Sequence, residues 1–108
     1  MTQDIIEGNR IIAEYRGGIE VDIGFKFVDG IERGFCLLSE LKYHLKEDWL
    51  MPACRKFCTE TWNGNTISYQ YAVKVHKVIT DYLNSKAELI DIFWVLVEGI
   101  KWLNKNKK

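Results

Sequence analysis

The sequence predicts a single α+β domain over residues 1–108, in which an antiparallel sheet carries two helices on one face. Two patterns predict this class. Apolar residues near the C-terminus recur every three or four positions, as in an amphipathic helix, and apolar residues before position 38 alternate with polar ones between glycine-containing turns, as in hairpins. A chain of 108 residues is long enough to bury a core of its own.

The strongest predicted element is the C-terminal helix, which we expect to follow Ser85 and to end near residue 103. Ser85 and Glu88 have the spacing of a capping box, in which each side chain bonds the backbone N–H of the other residue. Apolar residues then follow at spacings of four and three: Leu89, Phe93, Leu96, Ile100 and Leu103. Trp94 and Trp102 widen this arc, so a second layer or a partner chain must cover it, and a homodimer through these tryptophans would do so.

Three antiparallel strands are predicted ahead of residue 38, as a meander with one apolar face. They cover residues 11–16, 19–27 and 31–37. Three-residue turns that end at Gly18 and Gly30, each glycine in the left-handed conformation, place apolar residues opposite one another. The predicted pairs are Tyr15 with Ile19, Phe27 with Ile31, Ile23 with Phe35, and Val21 with Leu37.

Two further elements complete the predicted domain. A helix over residues 49–61 follows Asp48, a favourable N-cap, and Pro52 falls in its first turn, where a proline is tolerated. Residues 67–75 alternate between apolar and polar and are rich in β-branched side chains, which favours a later strand. The region also fits a helix with one apolar side formed by Ala72, Val75, Ile79 and Leu83.

Charge and cysteine content narrow the function classes. The chain has 15 basic and 15 acidic residues, and this balance removes the electrostatic argument for a general nucleic-acid binder. Three cysteines, and an N-terminus without a basic start or an apolar run, predict reduced thiols and a cytoplasmic location. Asp91, Glu98 and Lys101 interrupt the C-terminal apolar helix, so we expect no membrane span.

Two arrangements of residues could carry chemistry. Cys54 and Cys58 lie four residues apart, and they could bind zinc together with two histidines, His44 and His76. A thiol nucleophile, Cys36 or Cys58, would need one of those histidines as its base. Buried cysteines commonly pack as small apolar residues, and the sequence has neither a Cys-x-x-Cys loop nor a phosphate-binding motif. We therefore predict no enzymatic activity, no metal and no cofactor.

Nucleic-acid binding is the alternative function. Aromatic and basic residues of the predicted later strand could stack on bases and neutralise phosphates: Tyr69, Tyr71, Lys74, His76 and Lys77. The two tyrosines share their side of that strand with valines, which is more typical of a core face.

Contact with another protein is the leading hypothesis. Trp49 and Met51 stand at the entrance of a predicted helix, and both residue types are enriched in protein interfaces, although Trp49 more simply plugs the end of the core. The candidate interaction residues are Tyr43, His44, Trp49, Met51, Trp94 and Trp102. The expected partner is another protein, a second copy of this chain, or both.

Two segments carry a resemblance to a known group of proteins. The first contains Tyr43-His44 and Asp48-Trp49-Leu50-Met51-Pro52, and the second contains Val97-Glu98-Gly99-Ile100-Lys101-Trp102. They resemble small phage, prophage and mobile-element proteins of Bacteroidetes, in which a Tyr-His…Trp-Asp-Trp-Leu-Met-Pro segment precedes a final helix ending Phe-Ile-Lys-Trp-Tyr. Glu47 replaces the first tryptophan here, and Gly99 stands in place of a phenylalanine. The resemblance implies a mobile-element setting and no particular activity.

Overall fold

Helices and a small antiparallel sheet share the chain, so the predicted α+β class is confirmed. The computed structural model describes residues 3–62 and 66–106. In order, its elements are α1 (Gln3–Tyr15), β1 (Ile19–Val21), β2 (Gly24–Phe27), β3 (Gly34–Leu37), a 3-10 turn (Leu38–Glu40), α2 (Glu47–Trp62), α3 (Thr66–Leu83) and α4 (Leu89–Asn106). The three strands form one antiparallel sheet in the order β1-β2-β3.

The first element is helix α1, so the strand predicted over residues 11–16 is wrong. The buried side of α1 consists of Gly8, Asn9, Ile12 and Ala13, which have helical spacing. Two of these four residues are not apolar, which is why hydrophobicity alone did not predict the helix. Gly8 is needed for packing, because a Cβ atom there would lie 2.6 Å from the ring of Phe93 on α4.

The two glycines after α1 end the helix and do not form a hairpin turn. The Gly18 N–H donates to the Ala13 carbonyl at 2.9 Å, and the Gly17 N–H donates to the Glu14 carbonyl at 3.1 Å. These bonds form a Schellman motif, whose left-handed residue is Gly17 with a φ of +92°. The predicted left-handed Gly18 and the predicted pairing of Tyr15 with Ile19 are therefore both wrong.

A tight turn divides the predicted strand 19–27 into β1 and β2. Asp22 and Ile23 form this two-residue turn, with Asp22 at a φ of +35°, and Val21 pairs with Gly24 across it. The turn reverses the chain, so Ile19 now pairs with Lys26. Its consequence is a change of face: Ile19 and Val21 lie on the side of the sheet opposite to Phe25 and Phe27.

The β2–β3 hairpin has a longer loop than predicted, from residue 28 to residue 33. Phe27 pairs with Gly34, and Phe25 pairs with Cys36. The predicted pairs of Phe27 with Ile31, Ile23 with Phe35 and Val21 with Leu37 are therefore wrong. Glu32 of this loop turns into the protein interior, where it is buried, and a regular three-residue turn would not place it there.

Helix α2 agrees with the predicted helix over residues 49–61, although it begins at Glu47, one residue before the predicted cap Asp48. Pro52 therefore lies in the second turn, whereas the prediction placed it in the first. Helix α3 replaces the predicted later strand. Ala72 and Val75 are buried and Ile79 is partly buried, as in the alternative helical interpretation, whereas its fourth residue, Leu83, is exposed. Helix α3 packs against α2 and α4, and this tertiary packing outweighs the β-propensity of its valines and isoleucines.

Helix α4 is confirmed, but its predicted cap is not. Ser85 ends α3: it has a φ of +61°, and its N–H donates to the Tyr82 carbonyl at 3.1 Å. At the start of α4, the Glu88 N–H donates instead to Asp91 Oδ2 at 2.8 Å.

The wide apolar arc of α4 is covered within the chain. Helix α4 contacts α1, α2 and α3, and Ile92, Phe93, Leu96, Val97 and Ile100 are buried in the core. Gly99 allows α2 to approach, because a Cβ there would lie 2.5 Å from the Phe57 ring. Phe25 and Phe27 of the sheet belong to the same buried cluster as these helix residues.

Candidate functional site

A buried polar cluster joins α1 to the β2–β3 loop. Arg16 donates from Nε to Glu32 Oε2 at 2.8 Å and from Nη2 to Glu32 Oε1 at 2.9 Å, and the Tyr43 hydroxyl donates to Oε2 at 2.7 Å. Burial alone would raise the pKa of Glu32, but the hydrogen bonds from Arg16 and Tyr43 lower it overall. Glu32 is therefore a carboxylate at neutral pH.

Asn9 extends this cluster to His44. Its Oδ1 accepts the backbone N–H of Tyr43 at 3.0 Å, which fixes the orientation of the amide. The Asn9 Nδ2 group must then donate to Nδ1 of His44, 2.9 Å away. Burial lowers the pKa of His44, so the ring is neutral at pH 7 with its proton on Nε2.

The chemistry of this cluster is structural. Within the described part of the chain, every buried side-chain nitrogen and oxygen has a hydrogen-bond partner. Glu32 is held by an arginine and a tyrosine, and burial beside Glu32 raises the pKa of Tyr43 far above its usual value. These groups tie α1, the hairpin loop and residues 41–46 together, and they leave no acid or base poised for a substrate.

The predicted interaction residues fall into two groups. Tyr43, His44 and Trp49 are buried, and the Tyr43 and Trp49 rings meet edge-on at a centroid distance of 5.3 Å. In this fold they contact other parts of the same chain, so a partner cannot reach most of their surface. Met51, Trp94 and Trp102 are only partly buried, and both tryptophans belong to α4.

The aromatic residues considered for nucleic-acid binding lie on helix α3 and not on a sheet. Tyr71 stacks on Trp102 at a centroid distance of 5.3 Å, and the Lys74 ammonium lies 5.0 Å from the centroid of the Tyr71 ring. Tyr71 is thus already stacked within the protein. Tyr69, His76 and Lys77 are exposed and line one shallow groove along α3.

The cysteines and histidines do not converge on one another. Burial raises the pKa of Cys54 to about 12, and it raises the pKa of Cys36 and Cys58 as well, so these thiols are protonated at neutral pH. His44 is bonded to Asn9, whereas His76 is exposed on α3. Among the described residues, no three His, Cys, Asp or Glu side chains lie close enough to hold a metal ion.

A surface that was not predicted is the open face of the sheet. Ile19 on β1 is 58% exposed, Phe35 on β3 is 53% exposed, and Ile23 in the turn between β1 and β2 is 68% exposed. The strand register places one set of residues on this face: Ile19, Val21, Gly24, Lys26, Phe35 and Leu37. We call these six residues the open sheet face.

The strand register places Gly24 and Lys26 of the central strand between the apolar side chains of β1 and β3. Of these two residues Lys26 is exposed and Gly24 is buried, and we call this arrangement the trough. At the Gly24 end it continues into an apolar groove of about 360 Å³ between α1 and the strand ends, lined by Ile6, Ile23, Leu37, Leu38 and Ser39. Exposed apolar surface of this kind commonly marks a binding site.

The alternating pattern of residues 19–27 predicts one strand with Ile19, Val21, Phe25 and Phe27 on the same apolar face. A two-residue turn at Asp22 and Ile23 separates the two pairs onto opposite faces. The aspartate at position 22, followed by a second apolar run, was the feature that could have indicated the turn.

No protein family, curated protein or solved structure matches this chain. None of the helices over the described residues has both the length and the apolar character that a membrane crossing requires.

Proposed function

We propose that this chain is a non-enzymatic protein-binding protein, and that it binds its partner through the open sheet face. The observation that carries this proposal is the clustering of exposed apolar side chains. Among the large apolar residues that are exposed in the described part of the chain, six lie between positions 19 and 35, and three of these six, Ile19, Val21 and Phe35, belong to the open sheet face. The Phe25 side of the same sheet is buried in the core, so only the open face is available to a partner.

The charge on the face defines the chemistry of the partner. Lys26 lies on the central strand between Ile19 and Phe35, and within the described residues it takes part in no ion pair. The face itself carries no acidic side chain. A protein that covers it must therefore bring a carboxylate to Lys26, because a buried charge without a partner is costly.

This chemistry disfavours a second copy of the chain. In a two-fold dimer through this face, both copies would contribute Lys26 to the interface, and no acidic residue of either face would compensate the two lysines. A homodimer through Trp94 and Trp102 stays a prediction, since α1, α2 and α3 cover the core side of α4 while these two tryptophans are only partly buried. A phage or mobile-element setting, implied by the resemblance, remains a prediction.

A capture experiment tests the proposal. The tagged wild-type chain and two variants, Phe35→Asp and Leu83→Asp, are incubated with nuclease-treated lysate of a Bacteroidetes host. Leu83 is the matched control, because it is 72% exposed but lies at the end of α3. We expect one stoichiometric protein with the wild type and with Leu83→Asp, and its loss with Phe35→Asp. Circular dichroism checks that both variants are folded.

Two outcomes would contradict this proposal. Capture that persists with Phe35→Asp places the binding surface elsewhere. Capture that requires intact nucleic acid, and that is lost when Lys74, Lys77 and Lys101 are changed together, favours the nucleic-acid alternative. In that case the affinity should also fall steeply as salt is raised.

A further inference from the structure

The dimensions of the open sheet face limit what can cover it. Its strands have three or four residues, which is roughly 10–13 Å at about 3.3 Å per residue. Three strands about 4.8 Å apart place the two walls of the trough roughly 10 Å from each other. A single α-helix is about 10–12 Å in diameter with its side chains, so one helix of two to three turns fills this face.

The profile of the trough also suits a helix that lies along β2. Gly24 is buried, and a Cβ atom there would lie 2.2 Å from the Cys36 carbonyl oxygen, so the apolar surface at this end of the trough comes from its neighbours Val21 and Leu37. The side chains of Ile19 and Phe35 rise on the two sides of Lys26. An apolar stripe at positions i, i+3, i+4 and i+7 of a helix can contact both walls at once.

The distance between Gly24 and Lys26 along β2 determines how far apart a bound helix must place its apolar residue and its acidic residue. Lys26 is two residues from Gly24, which is about 6.6 Å in a strand and close to one helical turn of about 5.4 Å. A large apolar residue seated in the groove lined by Ile23, Leu37 and Leu38, at the Gly24 end of the face, therefore places an acidic residue three or four positions away over Lys26. An added edge strand, by contrast, would leave the trough open.

We propose that the occupant of the open sheet face is an amphipathic helix of a partner protein, with an aspartate or glutamate three or four positions from a large apolar residue. This inference rests on the proposed function and names the class of partner. Lys26 has two roles in it: it keeps the free face soluble, and it selects acidic over basic helices.

The test selects binders from a displayed library, so it needs no knowledge of the natural partner. The probe is a yeast-displayed library of 18-residue helical peptides with randomised positions on one side, sorted against the full-length chain. We expect the enriched peptides to be apolar at i, i+3, i+4 and i+7 and to contain one acidic residue within that stripe. Sorting against Lys26→Glu should replace that acidic residue by lysine or arginine.

Variants of the chain then locate the binding. Phe35→Asp should weaken the selected peptides by at least about tenfold, whereas Leu83→Asp should leave their affinity unchanged. Peptides that lose affinity with Phe35→Asp but whose apolar residues alternate, as in a strand, would show that the occupant is not a helix. They would leave the proposed binding surface intact. Peptides that are indifferent to Phe35→Asp would show that this face is not the binding surface.

Self-association is measured in the same series. Sedimentation of the wild-type chain at high concentration should show a monomer. A dimer that Phe35→Asp converts to a monomer would mean that a second copy covers the face, and it would overturn the helix of a separate partner. The inference is supported if the chain is a monomer and the selected peptides change from acidic to basic when Lys26 is changed to glutamate.

Discussion

Two ion pairs, one from α1 and one from the residue that follows it, reach the β segment over similar hydrogen-bond distances but in different surroundings. Arg10 donates from Nη2 to both carboxylate oxygens of Glu20, at 2.8 and 2.7 Å, and Arg16 binds Glu32 at 2.8 and 2.9 Å. The side chains of the first pair are 39% and 44% exposed, whereas those of the second are 17% and 1% exposed. The hydrogen-bond distances alone therefore do not distinguish them.

The difference lies in what remains when one partner is removed. Without Arg10, the exposed Glu20 carboxylate is solvated by water. Without Glu20, Arg10 still has two acidic neighbours, Glu7 and Glu14. Without Glu32, a partly buried arginine loses its counter-ion and the Tyr43 hydroxyl loses its acceptor. Breaking a buried pair is costly for this reason, even where the intact pair adds little net stability.

The largest effect is expected from removal of the buried carboxylate. Glu32→Ala should lower the free energy of unfolding by about 3–5 kcal/mol, because it leaves Arg16 without a counter-ion. Urea denaturation of this variant beside the wild type and Glu20→Ala measures the loss. Equal midpoints for the Glu32 and Glu20 variants would mean that burial does not separate the two pairs.

A smaller effect should appear on acidification. The folded pKa of Glu32 lies below its unfolded value of about 4.3, so its contribution is fully present above that value. It is lost as the pH falls through the folded pKa, when the carboxylate that faces Arg16 and Tyr43 is protonated. Urea midpoints measured between pH 7 and pH 3 should show this decline below about pH 4.3 in the wild type and in Glu20→Gln. The Glu32→Gln variant should lack this part of the decline.

Protonation of His44 should cause a second, separate decrease in stability when the free energy of unfolding is followed against pH. Its folded pKa lies below the unfolded value of about 6.5, so only the unfolded chain binds a proton as the pH falls below that value. Stability should therefore begin to decrease near pH 6.5, before Glu32 titrates. This decrease should persist in Glu32→Gln, which separates the two groups.

The smallest effect belongs to the exposed pair. Glu20→Gln should shift the urea midpoint far less than any change at Glu32, since surface ion pairs are solvated and screened. The remaining shift should vanish when the comparison is repeated in about 1 M salt, where the Debye length is about 3 Å. A shift that survives high salt would show that Glu20 holds β1 on α1 by more than charge.

Helices α2 and α4 could be predicted because their apolar stripes are long and contain few exceptions. The stripe of α1 includes Gly8 and Asn9, which a hydrophobicity pattern counts as polar, although one permits contact with Phe93 and the other bonds Tyr43. The candidate surface was harder to predict. Its residues Ile19 and Val21 have the composition of a core strand, and their exposure depends on the position of one turn.

The α+β class, the antiparallel sheet before residue 38 and the two helices with the clearest periodicity could be predicted from the sequence. These features follow from local patterns of apolar residues and turns, which act over a few positions. Three other features could not be predicted in this way: Glu32 turns inward, Tyr43 is a core residue, and the second face of the sheet stays open. Those outcomes depend on which distant residues come together, as Arg16 and Tyr43 do around Glu32, and no local pattern contains that information.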